Sequence, residues 1–397
     1  MRKTFFALAA GLLLAACTGK APEKGVLIEG EALGYEQNDK YLAILFEYNG
    51  NSGMEVQEDT LRDGHFSFRL DSLGGDHHGI GFADISGGNM EFLNSSPELY
   101  LEPGTVVRIR GEAAHFESAR ISSPSREQKL QARFLRMIPL EDRNLQQDAY
   151  ARYKALRKEI REGKDLTQAQ KDSLQALAEQ VDATRAEILD RISQQELKAL
   201  EKVEIGRYAL SRLYLLAREA SNGKEEDREA VQRICERLSD EQKASREGQE
   251  ILGFLRAFEK VEVGSPVPDY GFVDPDGNTR RLSEFRGKWL LLDFWQLSCG
   301  ACFASVPELG EVSRDFEGRV TVVSLSLDTD DAWRKATELH GITWNNWRDP
   351  LGAAGVFRAY GTNAIPTFVL VSPDGIIKDI HIGYRTDVLR ELARSAE

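Results

Sequence analysis

The spacing of apolar positions changes along the chain. Between residues 26 and 123 it is mostly alternating. Tyr41-Leu42-Ala43-Ile44-Leu45-Phe46, His65-Phe66-Ser67-Phe68, Leu99-Tyr100-Leu101 and Val106-Val107-Arg108-Ile109-Arg110-Gly111 read as short strands. Turn-forming clusters separate them at 48–53, Asp63-Gly64, Gly74-Gly75-Asp76 and Pro103-Gly104. Short strands at such spacing predict a β-sandwich over 26–123. From about Ser125 the period becomes 3.6. Leu130, Phe134 and Met137 open one helix; Tyr150, Tyr153, Leu156 and Ile160 mark another, ended by Gly163. Thr167 and Gln170 form a capping box ahead of a long charged helix striped by Leu174, Leu177, Val181, Ile188 and Ile192. These two helices predict an antiparallel hairpin. Further helices are expected over 205–218, 225–238 and 249–260, so 124–260 reads as an all-α region. Cys235 falls on an apolar helix side with Val231, Ile234 and Leu238, the setting of a core cysteine.

Val263-Gly264-Ser265-Pro266-Val267-Pro268 opens a third region, 261–397. Hairpins are expected around Asp274-Pro275-Asp276-Gly277-Asn278 and Ser372-Pro373-Asp374-Gly375. Trp289-Leu290-Leu291-Leu292-Asp293-Phe294-Trp295 reads as a buried strand, and Phe303, Val306, Leu309, Val312 and Phe316 have helical spacing. A second core strand is expected over 319–327 and helices over 330–340, 351–360 and 386–393. Strand, helix and strand make a βαβ unit, hence an α/β domain with a mixed sheet and helices on both faces. The pair Cys299 and Cys302 sits where the first strand hands over to its helix. The free N–H groups and dipole of a helix start stabilise a thiolate, and can lower a cysteine pKa from about 8.5 to about 3.5–7.5. Cys302, one turn in, is placed to attack a mixed disulfide formed on Cys299. A CxxC in a βαβ pattern is a redox signal. Half of a zinc site is the other chemistry it could serve, but no second pair exists, since the remaining cysteines are Cys17 and Cys235.

Composition narrows the function. The 397 residues are 41% hydrophobic and 29% charged, with a net charge of −13. That balance excludes the basic footprint of nucleic-acid binding. Four cysteines are too few for a disulfide framework. His77-His78 lacks a third ligand in view and is expected in a solvated loop, so neither a metal site nor a cofactor is anticipated. At the N-terminus Arg2 and Lys3 precede an apolar stretch from Phe5 to Leu14, too short to span a bilayer but shaped like a signal peptide, 1–16. Leu14-Ala15-Ala16-Cys17 resembles the lipobox of bacterial lipoproteins. That resemblance implies cleavage before Cys17, lipid on its sulfur and a short tether over 17–25. Export places the CxxC where disulfides persist, at the cell envelope, on the periplasmic side or the outer surface.

Asp293-Phe294-Trp295…Cys299-Gly300-Ala301-Cys302 resembles the Asp-Phe-Trp…Cys-Gly-Pro-Cys stretch of thioredoxins, and Ile365-Pro366-Thr367 resembles their cis-proline segment. The flanking residues 263–268, 282–288 and 372–375 look like the TlpA-like branch of extracytoplasmic thiol–disulfide oxidoreductases. Residues 26–123, with Asp63-Gly64-His65-Phe66-Ser67-Phe68 and Leu101-Glu102-Pro103-Gly104-Thr105, are similar to the β-domain that precedes such domains in Bacteroidota lipoproteins. The resemblance implies a thioredoxin-like fold over 261–397, with Cys299 attacking, Cys302 resolving and Asp293 in the place of the buried carboxylate. A carboxylate in an apolar strand is costly, and burial raises its pKa into the range of a proton acceptor for Cys302. By the same resemblance Pro366 is cis, Ile365 offers its backbone to an incoming peptide, and Trp295 flanks the site. This sequence departs from the pattern at Ser298, Ala301 and Ser305, where thioredoxins or TlpA-like proteins carry Trp, Pro and Glu. The expected activity is disulfide exchange with protein substrates, in the reducing direction, fed by a membrane electron donor. Two rivals are a thiol peroxidase, whose PxxxTxxC pattern would need Pro and Thr where Leu292 and Gln296 stand, and a partner-binding lipoprotein with a secondary redox site.

Overall fold

A computed structural model of the chain describes residues 23–396 apart from 37–39, 50–51, 76, 89, 164, 222, 257–259 and 363. The signal peptide, Cys17 and most of the tether lie outside the described residues. The chain divides into two compact units, Met1–Lys129 and Leu130–Glu397.

The first unit contains β1 (Val26–Leu33), β2 (Tyr41–Asn49), β3 (Ser52–Thr60), β4 (His65–Leu70), β5 (His77–Asp84), β6 (Glu91–Ser95), β7 (Thr105–Glu112) and β8 (Arg120–Ser122). They form two four-stranded sheets, ordered β4-β1-β7-β8 and β3-β2-β5-β6. Alternate residues of both sheets, among them Ile28, Leu45, Phe68, Ile80, Phe82 and Val107, meet in one core. Asp63 and Gly64 both adopt positive φ (50° and 78°), the conformation a tight turn needs as the chain passes from β3 to β4. Residues 99–101, expected as a strand, make only an isolated bridge from Leu99 to His78. His77 and His78 lie on β5 rather than in a solvated loop. His78 is buried, and burial pushes its imidazole down to about 4, so it is neutral at physiological pH. Glu47 Oε2 lies 3.8 Å from its Nε2. Among the described residues no group of three or more His, Cys, Asp or Glu is placed to hold a metal ion.

The helices are α1 (Arg126–Leu135), α2 (Leu140–Glu162), α3 (Gln168–Leu200), α4 (Arg207–Ala220), α5 (Glu225–Glu236), α6 (Asp240–Ala244) and α7 (Arg246–Leu255). The Thr167–Gln170 capping box starts α3, and Gly163 caps α2. The expected final helix is shorter than anticipated, ending at Leu255, and α6 was not foreseen. Two serines explain α6: Ser239 caps it, and Ser245 turns it off and caps α7. Cys235 is buried among Val231, Ile234 and Leu238, and burial raises its thiol to about 11.

The remaining elements are β9 (Phe272–Val273), β10 (Thr279–Arg280), β11 (Trp289–Trp295), α8 (Gly300–Asp315), β12 (Val320–Ser326), α9 (Asp330–His340), β13 (Asn345–Arg348), β14 (Thr367–Val371), β15 (Ile377–Ile382) and α10 (Val388–Arg394). They build a seven-stranded sheet ordered β10-β9-β13-β12-β11-β14-β15, with β11, β12 and β13 parallel and β14 antiparallel to β11. Period two splits β11 cleanly. Leu290, Leu292 and Phe294 face a core with Val356, Phe357 and Tyr360, which come from 3-10 turns rather than from the regular helix expected there. Leu291 faces Leu309 and Val312 of α8 and Leu389 of α10, and Trp295 faces Cys302 of α8 and Trp333 of α9. Asp293, between those two in the alternation, is therefore on the α8 side.

Candidate redox site

Cys299 is the N-cap of α8, and its Sγ accepts the backbone N–H of Cys302 at 3.1 Å. The two sulfurs are bonded, with S–S 2.06 Å and Cα–Cα 5.3 Å. Cys299 is half-buried, whereas Cys302 is 2% exposed. Cys299 is thus the more accessible residue of the pair, and both sit at the positive end of a 16-residue helix. Ser305 is buried one turn on and donates to the Cys302 carbonyl at 2.7 Å.

Asp293 is 3% exposed. Burial pushes its carboxyl up to about 7, against a smaller opposing effect of the hydrogen bond from Ser324. Ser324 Oγ donates to Oδ2 at 2.9 Å, while Oδ1 has no hydrogen-bond partner among the described residues. The parallel register sets this pairing, because Asp293 stands opposite Ser324 across β11 and β12. Trp344 Nε1 in turn donates to Ser324 Oγ at 2.9 Å. The Trp344 ring packs into the same apolar cluster as Cys299, Cys302, Trp295 and Ile365, so the carboxylate network and the sulfurs share one wall.

The Ile365–Pro366 peptide bond is cis. Pro366 is buried, and its carbonyl accepts Gly383 N–H at 2.8 Å. Ile365 is half-buried, and among the described residues no hydrogen bond engages its backbone. Trp295 is 2% exposed, so it offers the site a packed wall beneath the cysteines rather than an open contact surface. The structure thus gathers Cys299, Cys302, Trp295 and Ile365 together and ties Asp293 to them through Ser324 and Trp344.

Sequence reasoning missed Ser324, Trp344 and Asp328. Ser324 had a signal, a small polar between Val323 and Leu325 in a core strand. Asp328 had another, a charge just beyond the C-terminal end of a parallel strand, where α/β sheets commonly place their chemistry. Nothing local marks Trp344. Near the helix start the Phe303 ring stacks on His340 of α9, centroids 3.7 Å apart, which gives the site an aromatic rim.

Comparisons with known proteins fall on the same region of the chain. The model of the AhpC/TSA family matches residues 263–380. Thiol-disulfide oxidoreductase ResA of Geobacillus kaustophilus is 30% identical over 136 residues, which span 33% of this chain and 77% of that protein. ResA of Geobacillus thermodenitrificans is 30% identical over 128 residues, 32% of this chain and 72% of that one. Among solved structures, the thioredoxin domain of a thiol-disulfide oxidoreductase from Bacteroides vulgatus is 26% identical, with 35% of this chain and 100% of that chain covered and a TM-score of 0.33. A disulfide-bonded cysteine pair at the start of α8, on a mixed sheet of thioredoxin type, together with sequence relatives of this identity and coverage, means that the chain belongs to the thiol–disulfide oxidoreductases of thioredoxin fold.

Proposed function

We propose that the protein reduces disulfides of other proteins outside the cytosol while held to a membrane through lipid on Cys17. In the reduced enzyme Cys299 thiolate attacks one sulfur of a substrate disulfide, and the other sulfur leaves as a thiolate. The Cys302 thiol gives its proton to Asp293 and attacks Cys299 Sγ. The mixed disulfide breaks, the second substrate thiol departs, and the Cys299–Cys302 bond remains. Two electrons have moved from the enzyme dithiol to the substrate, and a donor at the membrane must return them. The substrate backbone pairs with Ile365 as an added strand, beside Pro366.

The observation that carries this reading is Asp293. It is a buried carboxyl poised near neutrality, with one oxygen left open, on the strand that leads to the cysteines. A proton acceptor matched to working pH is what the resolving step requires. The decisive experiment is the Cys302→Ser variant. It should accumulate mixed disulfides through Cys299 on non-reducing gels, and Cys299→Ser should not; an empty gel for both variants sinks the assignment. Direction follows from the potential of the couple. A reductase should lie toward about −270 mV, and a value near about −120 mV would make the protein an oxidant.

The AhpC/TSA match favours a second reading, a thiol peroxidase. Leu292 and Gln296 occupy the places of its Pro and Thr, so peroxide turnover should be negligible beside disulfide reduction. Anchoring has its own test: the wild-type chain should partition with membranes and take up labelled fatty acid, and Cys17→Ala should do neither.

A further inference from the structure

The helices of 130–260 have no part in the chemistry above, yet α7 packs against the 3-10 turns that follow β13. Residues 296–298 join β11 to Cys299. Leu297 N–H donates to Asp328 Oδ2 at 2.7 Å, and Ser326 Oγ donates to the same oxygen at 3.1 Å. Leu327 N–H donates to the Trp295 carbonyl at 3.0 Å. Residues 326–328 therefore clamp 295–297 from both backbone and side chain. On the other side of Leu327 lies Glu250 of α7, buried and accepting from Arg246 Nε at 2.7 Å. Gly352 is wedged between them. A Cβ there would stand 2.8 Å from the Leu327 carbonyl oxygen and 3.6 Å from Glu250 Oε1, at a φ of +53°. The Arg246–Glu250 pair thus lies near Leu327, the residue before Asp328. Burial raises the Asp328 carboxyl; the hydrogen bonds from Leu297 and Ser326 oppose it, and the charge of Arg246 adds a smaller effect in the same direction as those bonds.

We propose that Asp328 is a positioning residue for Cys299, and that the Arg246–Glu250 pair of the helical region governs it, so that the helices tune the redox couple. Without the Asp328 carboxylate, Leu297 N–H loses its acceptor and the loop relaxes. The N-cap geometry that stabilises the Cys299 thiolate relaxes with it. Without Arg246, Asp328 keeps its hydrogen bonds from Leu297 and Ser326 but loses a cationic neighbour, and the added negative field disfavours the thiolate.

The inference rests on Cys299 and Cys302 being the working couple. The test uses the full chain, with folding verified by near-UV circular dichroism. Two quantities are read: the alkylation rate of Cys299 as a function of pH and the equilibrium constant with glutathione. Asp328→Ala should raise the Cys299 pKa read from the pH dependence of alkylation by about one unit, which is about tenfold in rate at pH below both pKa values. Asp328→Asn keeps an oxygen to receive Leu297 N–H and should recover to within about threefold of wild type. Arg246→Gln should move the glutathione constant by about threefold, or about 14 mV at about 30 mV per tenfold. Wild-type values for both Asp328 variants overturn the positioning role. A shifted Asp328→Ala beside an unshifted Arg246→Gln overturns the role of the helices. Should Asp328→Ala fail to fold, Ser326→Ala decides the first part: it removes the second donor to Asp328 Oδ2 and should slow alkylation by about threefold, and a wild-type rate overturns the positioning role. A wild-type chain that does not exchange with glutathione defeats the redox reading itself, which is a different result from an active chain indifferent to these variants.

Discussion

Asp293 couples the chemistry of the site to the stability of the fold. Its carboxyl titrates near 7 in the folded chain, against 3.8 for an unperturbed aspartate. The folded state therefore holds a proton that the unfolded state has already released. Stability is greatest below about pH 4, falls as pH rises toward 7 and levels off beyond it. A shift of about three units corresponds to about 4 kcal/mol at most, by about 1.4 kcal/mol per unit. Asp293→Asn removes the titration while keeping the shape. The variant should match wild type below pH 4 and exceed it at pH 8 in urea midpoints measured on the oxidised protein; parallel curves across that range would show that the group does not titrate there. The same variant should slow release of the mixed disulfide near neutral pH and leave the first attack by Cys299 intact, because the role proposed for the carboxyl is toward the second thiol alone. Stability gained together with turnover lost is the signature of a group kept for function.

At the level of elements, what the sequence disclosed was what local forces decide. The apolar run of β11, the helical spacing of α8 and the Thr167 capping box each act within a few residues, and each formed as expected. What it concealed depends on partners far along the chain. The strand β13 is Asn345-Asn346-Trp347-Arg348, with no apolar alternation, and it exists because β12 and β9 supply its hydrogen bonds. His78 became buried because β2 pairs alongside it. The Asp293–Ser324 bond spans 31 residues and follows from register, which no local pattern reveals. Arg358 is another such partner. It lies in a 3-10 turn and donates from Nη1 to the carbonyls of Gly253 and Arg256, both at 3.0 Å, at the C-terminal end of α7. Nη2 reaches the Ser221 carbonyl at the end of α4, at 3.5 Å. Helix C-termini carry unsatisfied carbonyls and partial negative charge, and a guanidinium answers both at once. Arg358→Ala should destabilise the protein by about 2–4 kcal/mol in urea unfolding, and Arg358→Lys should recover little of it, because an ammonium cannot reproduce the planar fork.

For the whole molecule, the division of the chain matters more than its composition. The helices of 130–260 and the redox sheet belong to one compact unit, whereas the β-sandwich belongs to the other. The contact of α7 with the sheet region is apolar as well as charged. Ala354 from the 3-10 turns joins the helical core with Ile251 and Phe254, and the Arg358 guanidinium lies 5.8 Å from the Phe254 ring centre. A Cβ on Gly253 would come within 3.1 Å of the Ala354 Cβ, so the surfaces are tightly packed. Cutting the chain at residue 261 strips that cover from Ala354 and Arg358 and takes Arg246 away from Asp328. Cutting it at residue 130 leaves all of these contacts in place. The 130–397 piece should therefore keep the glutathione constant of the full chain and unfold in a single transition. The 261–397 piece should melt several degrees lower, as expected for about 2 kcal/mol lost from a domain of this size. Its constant should move in the direction of Arg246→Gln. If the shorter piece instead equals the longer one in both melting temperature and glutathione constant, the helices are dispensable to the couple, and their reason for being lies in binding a partner.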